Sequence, residues 1–406
     1  MNNKVFHAGA MILAAACSMV SPATAQVPPQ KTQAQNLRIG SSPAGLDLLP
    51  VLSHYSVLVH ATYKDTLVAA IDLRQSVRAF VAAPSASTLA TARQAWLKAR
   101  DRYALTEAFR FYGGPIDSET GPEPRINSWP VDESFIDSVT GRPGAGIVNN
   151  PKLAIDRKTL VGVNVRDGEE NVATGWHAIE FLLWGQDFSP TGPGDRQYTD
   201  YVDGRASNAR RRGRYLVVVT DLLVDDLAQV TRAWAPDAAN YRRNFEREGE
   251  ESLRRLIVGM GMLTRSELAG ERMEVPLASQ DQEDEQSCFS DNTHHDIIGN
   301  AQGVRNVWLG RYTRLDGSLL KGPSLQDLVA TRDPALSERL SAQMNASVSA
   351  AQAIIPPFDR EIVGDASAPG RLRVRRVIDS LVLQASSLVD AARALGMQRL
   401  NWTRKP

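Results

Sequence analysis

A histidine and a carboxylate three positions apart in a helix lie on one face, where an imidazole nitrogen and a carboxylate oxygen can meet a common target. The chain carries such a pair, His177 and Glu180, in Gly175-Trp176-His177-Ala178-Ile179-Glu180. The continuation, Phe181-Leu182-Leu183-Trp184-Gly185-Gln186-Asp187, is apolar as far as Trp184. The pair therefore sits inside a stretch with the composition of a buried helix. Two such groups serve transition-metal coordination or proton transfer. Burying them without partners is costly, so a hydrogen-bonded core pair between helices satisfies the same pattern. HxxE is a short motif and does not by itself choose between these readings.

Two further pairs repeat the three-residue offset. Glu107 and Arg110, in Thr106-Glu107-Ala108-Phe109-Arg110-Phe111, can pair on one helix face, and their aromatic neighbours point to burial. They read either as an ordinary ion pair or as groups lining the cavity of His177 and Glu180. Asp291 and His294 fall in the acid-rich run that starts at Gln282-Glu283-Asp284-Glu285. They could bring the additional ligands that a two-residue motif lacks, since metals take three or more protein ligands or waters in their place. The plain alternative is an acidic segment facing a helix N-terminus. No HExxH, HxxEH or Gly-x-Ser-x-Gly element is present.

GWHAIE matches the GxHxxE signature of the imelysin family, and FLLWGQD resembles the same family. So do WLKARDRYALTEAFRFYGGPID from Trp96, RRGRYLVVVTDLLVDDL from Arg211 and EDEQSCFSDNTHHDIIGNAQGVRNVWLG from Glu283. The resemblance spans nearly the whole mature chain. It implies kinship with imelysin-like peptidases and with iron-regulated periplasmic proteins of the iron-regulated protein A type. Iron is the metal the resemblance favours for His177 and Glu180, with zinc as the alternative.

The elements that must position these groups read as helices. Leu52, Tyr55, Val59, Tyr63, Leu67 and Ile71 recur every three or four residues, and Pro84 ends that run. A second helix passes through Trp96, Ala99 and Tyr103. Residues 115–170 are rich in Pro, Gly, Asn and Asp and read as a long segment packed along the surface. Beyond residue 209 come amphipathic stretches at Leu216 to Val230, at 249–268 and at Val374 to Ala392. Alternating strand patterns are nearly absent. The expected class is all-α, with two helical-bundle domains, 46–208 carrying GxHxxE and 209–406, joined by long irregular loops. Duplication is a candidate origin for the two halves.

Residues 1–25 have the pattern of an export signal: Lys4, a short apolar run from Ala8 to Ala16, and Ala23-Thr24-Ala25 before Gln26. A lipidated Cys17 is the alternative. Residues 26–45 read as a linker. Lys plus Arg and Asp plus Glu both number 46, and the leader holds one lysine and no acid, so the mature chain carries a net charge of −1. That balance gives no support for nucleic-acid or anionic-membrane binding. Cys288 is then the one remaining thiol, so no internal disulfide forms.

These observations predict an exported, periplasmic protein without a transmembrane segment after processing. Its expected role is to bind a metal ion in a cleft between the bundles, in iron uptake or sensing, with membrane components of iron uptake as partners. A metallopeptidase is the alternative, and a metal-free peptide or polymer binder is the third class.

Overall fold

The computed structural model describes residues 46–397. The expected leader at 1–25, with Cys17, and the expected linker at 26–45 lie outside these residues. Helix α1, Leu49–Ala82, buries Leu52, Tyr55, Val59, Tyr63, Leu73, Val77 and Phe80 along one stripe. Pro84 breaks the chain. Ser85 then caps α2, Ala86–Ala104, accepting from the Thr88 amide while the Thr88 side chain bonds back to the cap. The two helices form a hairpin, and α2 tightens into a 3-10 turn at Leu105–Phe109.

The segment expected to run along the surface does more than that. It forms short helices at Glu123–Ile126, Glu133–Ile136, Gly146–Asn149 and Arg157–Val163. Ile126, Ile136, Val148 and Leu160 enter the core. The segment delivers the chain to α3, Gly175–Trp184, every residue of which is buried. Gly175 has φ of +88°, and a Cβ there would lie 2.4 Å from the Ile126 carbonyl oxygen. Only glycine lets the short helix at 123–126 cross so closely. Helix α4, Ala209–Ala233, packs against both α1 and α3. Arg212 to Asp137 (2.5 Å) and Arg125 to Asp226 (2.7 Å) tie the irregular segment to it.

Helix α5, Glu250–Met262, continues as a π-helix over Leu263–Glu274 before a last α-turn at Val275–Ser279. The Val275 amide bonds to the Gly270 carbonyl, the five-residue step of that wider helix. Helix α6, Thr293–Leu309, leads to a two-stranded antiparallel hairpin, β1 Arg311–Thr313 and β2 Leu319–Lys321. The hairpin hangs on Asp65 of α1, which accepts from Tyr312 Oη (2.9 Å), Arg314 Nη2 (2.6 Å) and the Leu315 amide (3.1 Å). Helices α7, Pro334–Gln352, and α8, Pro369–Ala394, complete the described chain, and α8 lies against the π segment.

The fold is all-α apart from the small hairpin, and its helices share one continuous core. The boundary expected at 208/209 runs between helices in contact, because α4 begins at 209 and lies on α1. Helix α6 crosses back over the end of α2. A Cβ at Gly299 would come within 2.5 Å of Ala104 Cβ, and one at Gly303 within 2.5 Å of the Leu105 carbonyl oxygen. Among the described residues no helix is long and apolar enough to cross a membrane.

Candidate functional site

His177 and Glu180 stand one turn apart on α3, as their spacing requires, and they bond to each other. His177 Nδ1 lies 2.8 Å from Glu180 Oε2. The other carboxyl oxygen, Oε1, accepts twice from Ser290, from its amide at 3.0 Å and its hydroxyl at 2.6 Å. His177 is 1% exposed and Glu180 is fully buried. His177 Nε2 is buried and finds no hydrogen-bond partner among the described residues.

Burial dominates the electrostatics of the pair. It holds the His177 imidazole well below its usual range, and the guanidiniums of Arg100 and Arg272 push the same way. Burial raises Glu180 to about 8, with Asp296 adding to the rise and Ser290 and Arg100 opposing it. Although the contact has the distance of an ion pair, both shifts disfavour charge. At neutral pH it is a neutral imidazole bonded to a protonated carboxyl. Since Oε1 accepts two bonds from Ser290, the carboxyl proton belongs on Oε2, facing Nδ1.

A second buried network adjoins the pair. Glu107 Oε2 receives Arg110 Nη1 at 2.7 Å and Arg272 Nη2 at 2.8 Å, and Glu107 Oε1 accepts from Asn127 at 3.0 Å. Asn127 in turn accepts from Arg100, whose Nε bonds Asp296 at 2.8 Å. Asp296 also accepts from the Ser287 hydroxyl at 2.5 Å. Burial alone would raise Glu107, but Arg110, Arg272 and Arg100 outweigh it and hold the carboxyl at about 2. The expected pairing of Glu107 with Arg110 is present. Their tie to the first pair runs through Arg100 and Arg272, the two guanidiniums that act on His177.

Asp291 and His294 take another direction. His294 Nδ1 lies 3.1 Å from the Asp291 backbone oxygen. Burial, together with Asp187 and Asp359, pushes the Asp291 carboxyl up to about 7. Neither side chain bonds His177 or Glu180 in this arrangement. The acid-rich segment instead sends Ser290 to Glu180. Among the described residues no three His, Cys, Asp or Glu side chains converge at metal-binding range. The donor set at α3 is therefore partial: one free imidazole nitrogen, with Glu180 fixing the ring from behind.

Residue patterns did not single out Ser290, Arg100, Asp296, Asn127 or Arg272. Ser290 and Asp296 lie in the segment from Glu283, and Arg100 lies in WLKARDRY, so three of them stood within segments already marked. Arg272 left no local signal, because its inward position depends on the π-helical turn around it.

Comparisons with known proteins agree with this architecture. The chain is 28% identical over 342 residues to iron-regulated protein A of Synechococcus elongatus, covering 82% of this chain and 84% of that protein. A solved structure from Parabacteroides distasonis, assigned as an iron-regulated protein A precursor, superposes with a TM-score of 0.65 at 16% identity. That match covers 88% of this chain and 98% of the other. The family model for imelysin, which carries a peptidase heading, matches residues 59–388. With most of its length matched, from α1 to α8, the chain belongs to the imelysin family.

Proposed function

We propose that this protein binds a metal ion, iron before zinc, at the His177 centre outside the cytoplasm, in service of iron uptake or sensing. The observation that carries the reading is His177 Nε2, a buried nitrogen with no partner among the described residues on a ring kept neutral by its surroundings. A histidine that binds a metal through one nitrogen characteristically donates the other N–H to a carboxylate or carbonyl, the part Glu180 would take once its proton passes to Nδ1. Kinship with proteins named as iron-regulated makes iron the first ion to test. His177 supplies the nitrogen ligand, Glu180 orients it, and waters or rearranged side chains complete the shell.

A peptidase reading draws support from the family heading. A polypeptide substrate, however, is far larger than an ion, and His177 and Glu180 are buried in a packed core. Substrate turnover would require the core around α3 to open, so the ion-binding reading asks less of the structure.

Iron and zinc titrations of protein made without a metal-binding tag test the proposal. His177→Ala should weaken binding by more than about 100-fold. Glu180→Gln should weaken it by about 10- to 100-fold, the range for groups that orient a ligand. The double variant should lose much less than the product, because either change already breaks the unit. Equal affinity in wild type and both single variants would eliminate the centre.

A further inference from the structure

We propose that residues 281–290 form a strap that opens and closes over the His177 centre, with Ser290 as its latch. The inference rests on the binding reading above and adds a movable cover for Glu180, the group that orients the His177 ring. Helices α2 and α4 cover α3 through large apolar contacts, including Trp96, Trp176, Tyr215 and Leu216. Moving either helix would uncover much of the core. Beyond a 3-10 turn at Gln282–Asp284 the strap is irregular, and although Glu285 to Ser290 are buried it carries only Cys288 and Phe289 into the core and holds by a handful of bonds.

Two of those bonds run from Ser290 to Glu180 Oε1. Others join the Ser287 hydroxyl to Asp296, the Gln282 amide to the Asp187 carbonyl, and the Phe289 carbonyl to the Gly194 amide. Phe289 packs on Phe181, with ring centroids 5.1 Å apart. Both ends of the strap turn at left-handed residues, Gln280 with φ of +59° and Asp291 with φ of +56°. Such positions mark where a chain changes direction and where a hinge can act.

The closed strap also contains interactions that favour its release. Burial, with Asp359, Asp291 and Asp187 adding to it, pushes the Glu285 carboxyl well above its usual range against a hydrogen bond to Thr293. Glu283 faces Asp281, Asp187 and Asp284. Glu285 Oε1 and both polar atoms of the Gln286 side chain are buried without partners among the described residues. Opening returns these groups to water.

Cys288 sits within the strap, and its buried thiol makes it a reporter of opening. In full-length protein with Cys17→Ala, the rate of Cys288 alkylation by iodoacetamide reads how often the strap lifts. Ser290→Ala should speed labelling about tenfold, the scale of one hydrogen bond to a buried carboxyl group. Its melting temperature should fall by no more than about 3 °C. Ser290→Thr, which keeps the hydroxyl, should label at close to the wild-type rate. Association of Fe2+ should accelerate in Ser290→Ala by the same factor as labelling. Labelling that is equal in all three proteins, or that follows global unfolding in urea, overturns the strap. So does faster labelling with an unchanged Fe2+ association rate. If no protein binds Fe2+ while labelling responds as expected, the metal reading falls and the opening of the strap stands.

Discussion

The smallest unit that matters is the His177–Glu180–Ser290 chain of hydrogen bonds, and its protons set the expected pH behaviour. With Glu180 protonated on Oε2, Nδ1 accepts and the imidazole proton sits on Nε2. An ion at Nε2 must displace it, and the carboxyl proton shifts to Nδ1, so one proton is released per ion bound. Affinity should therefore rise with pH and level off above about 8, where Glu180 is already ionised. Calorimetry in buffers of different ionisation heat reads the released proton directly. A midpoint near the ordinary imidazole value would place control on His177 instead. Stability has its own sign. Glu180 is raised in the fold, so its contribution is complete below its unfolded value of 4.5 and is lost as pH rises through about 8. Urea unfolding should show Glu180→Gln gaining on wild type between about pH 5 and about pH 8.5. Glu107 behaves oppositely: its depressed pKa stabilises above 4.5, and that contribution disappears as pH falls through about 2. Arg272→Ala leaves Glu107 short of a buried partner and should cost about 3–5 kcal/mol in the same assay. The pair at 177 and 180 was legible because a helix makes neighbours of residues three apart. Ser290 was not, because its contact with Glu180 bridges 110 positions and no local pattern records it.

At the level of elements, the helices were legible wherever one face alone is buried. The stripe of Leu52, Tyr55, Val59 and Tyr63 gave α1, and Pro84 with Ser85 gave its end and the next beginning. Segments whose form depends on distant partners were not. Residues 115–170 contain too few apolar positions to advertise four short helices, yet Asp137 and Arg125 find partners on α4 that fix them. The π segment at 263–274 keeps an apolar pattern close enough to that of an α-helix to hide its wider turn. Gly303 lets α6 rest on the 3-10 turn at Leu105, and Gly303→Ala drives a methyl group into a backbone oxygen. It should destabilise by about 1–3 kcal/mol, the cost of overpacking, measured by thermal melting. Glu107 lies in that turn and Asp296 on α6, so the same variant should also weaken ion binding.

For the molecule as a whole, an all-α circular dichroism spectrum is the first expectation. Urea unfolding should give superimposable curves by tryptophan fluorescence and far-ultraviolet dichroism if the shared core unfolds as one unit. Two separated transitions would instead indicate independent bundles meeting near residue 208. Export by the expected leader would leave a chain beginning at Gln26, which N-terminal sequencing reads, and a lipid on Cys17 would move it to a membrane surface. The contacts that join early and late parts of the sequence have a consequence for how the protein is made. Arg100 waits for Asp296, Glu107 for Arg272, and Glu180 for Ser290. A chain that emerges with its amino terminus first presents α1, α2 and α3 long before these partners exist. Until roughly three-quarters of the sequence has appeared, the motif helix carries a His177–Glu180 pair that lacks its bonds to Ser290. The buried polar network is thus the last part to take shape, and a chain cut short before α6 leaves Arg100 without Asp296.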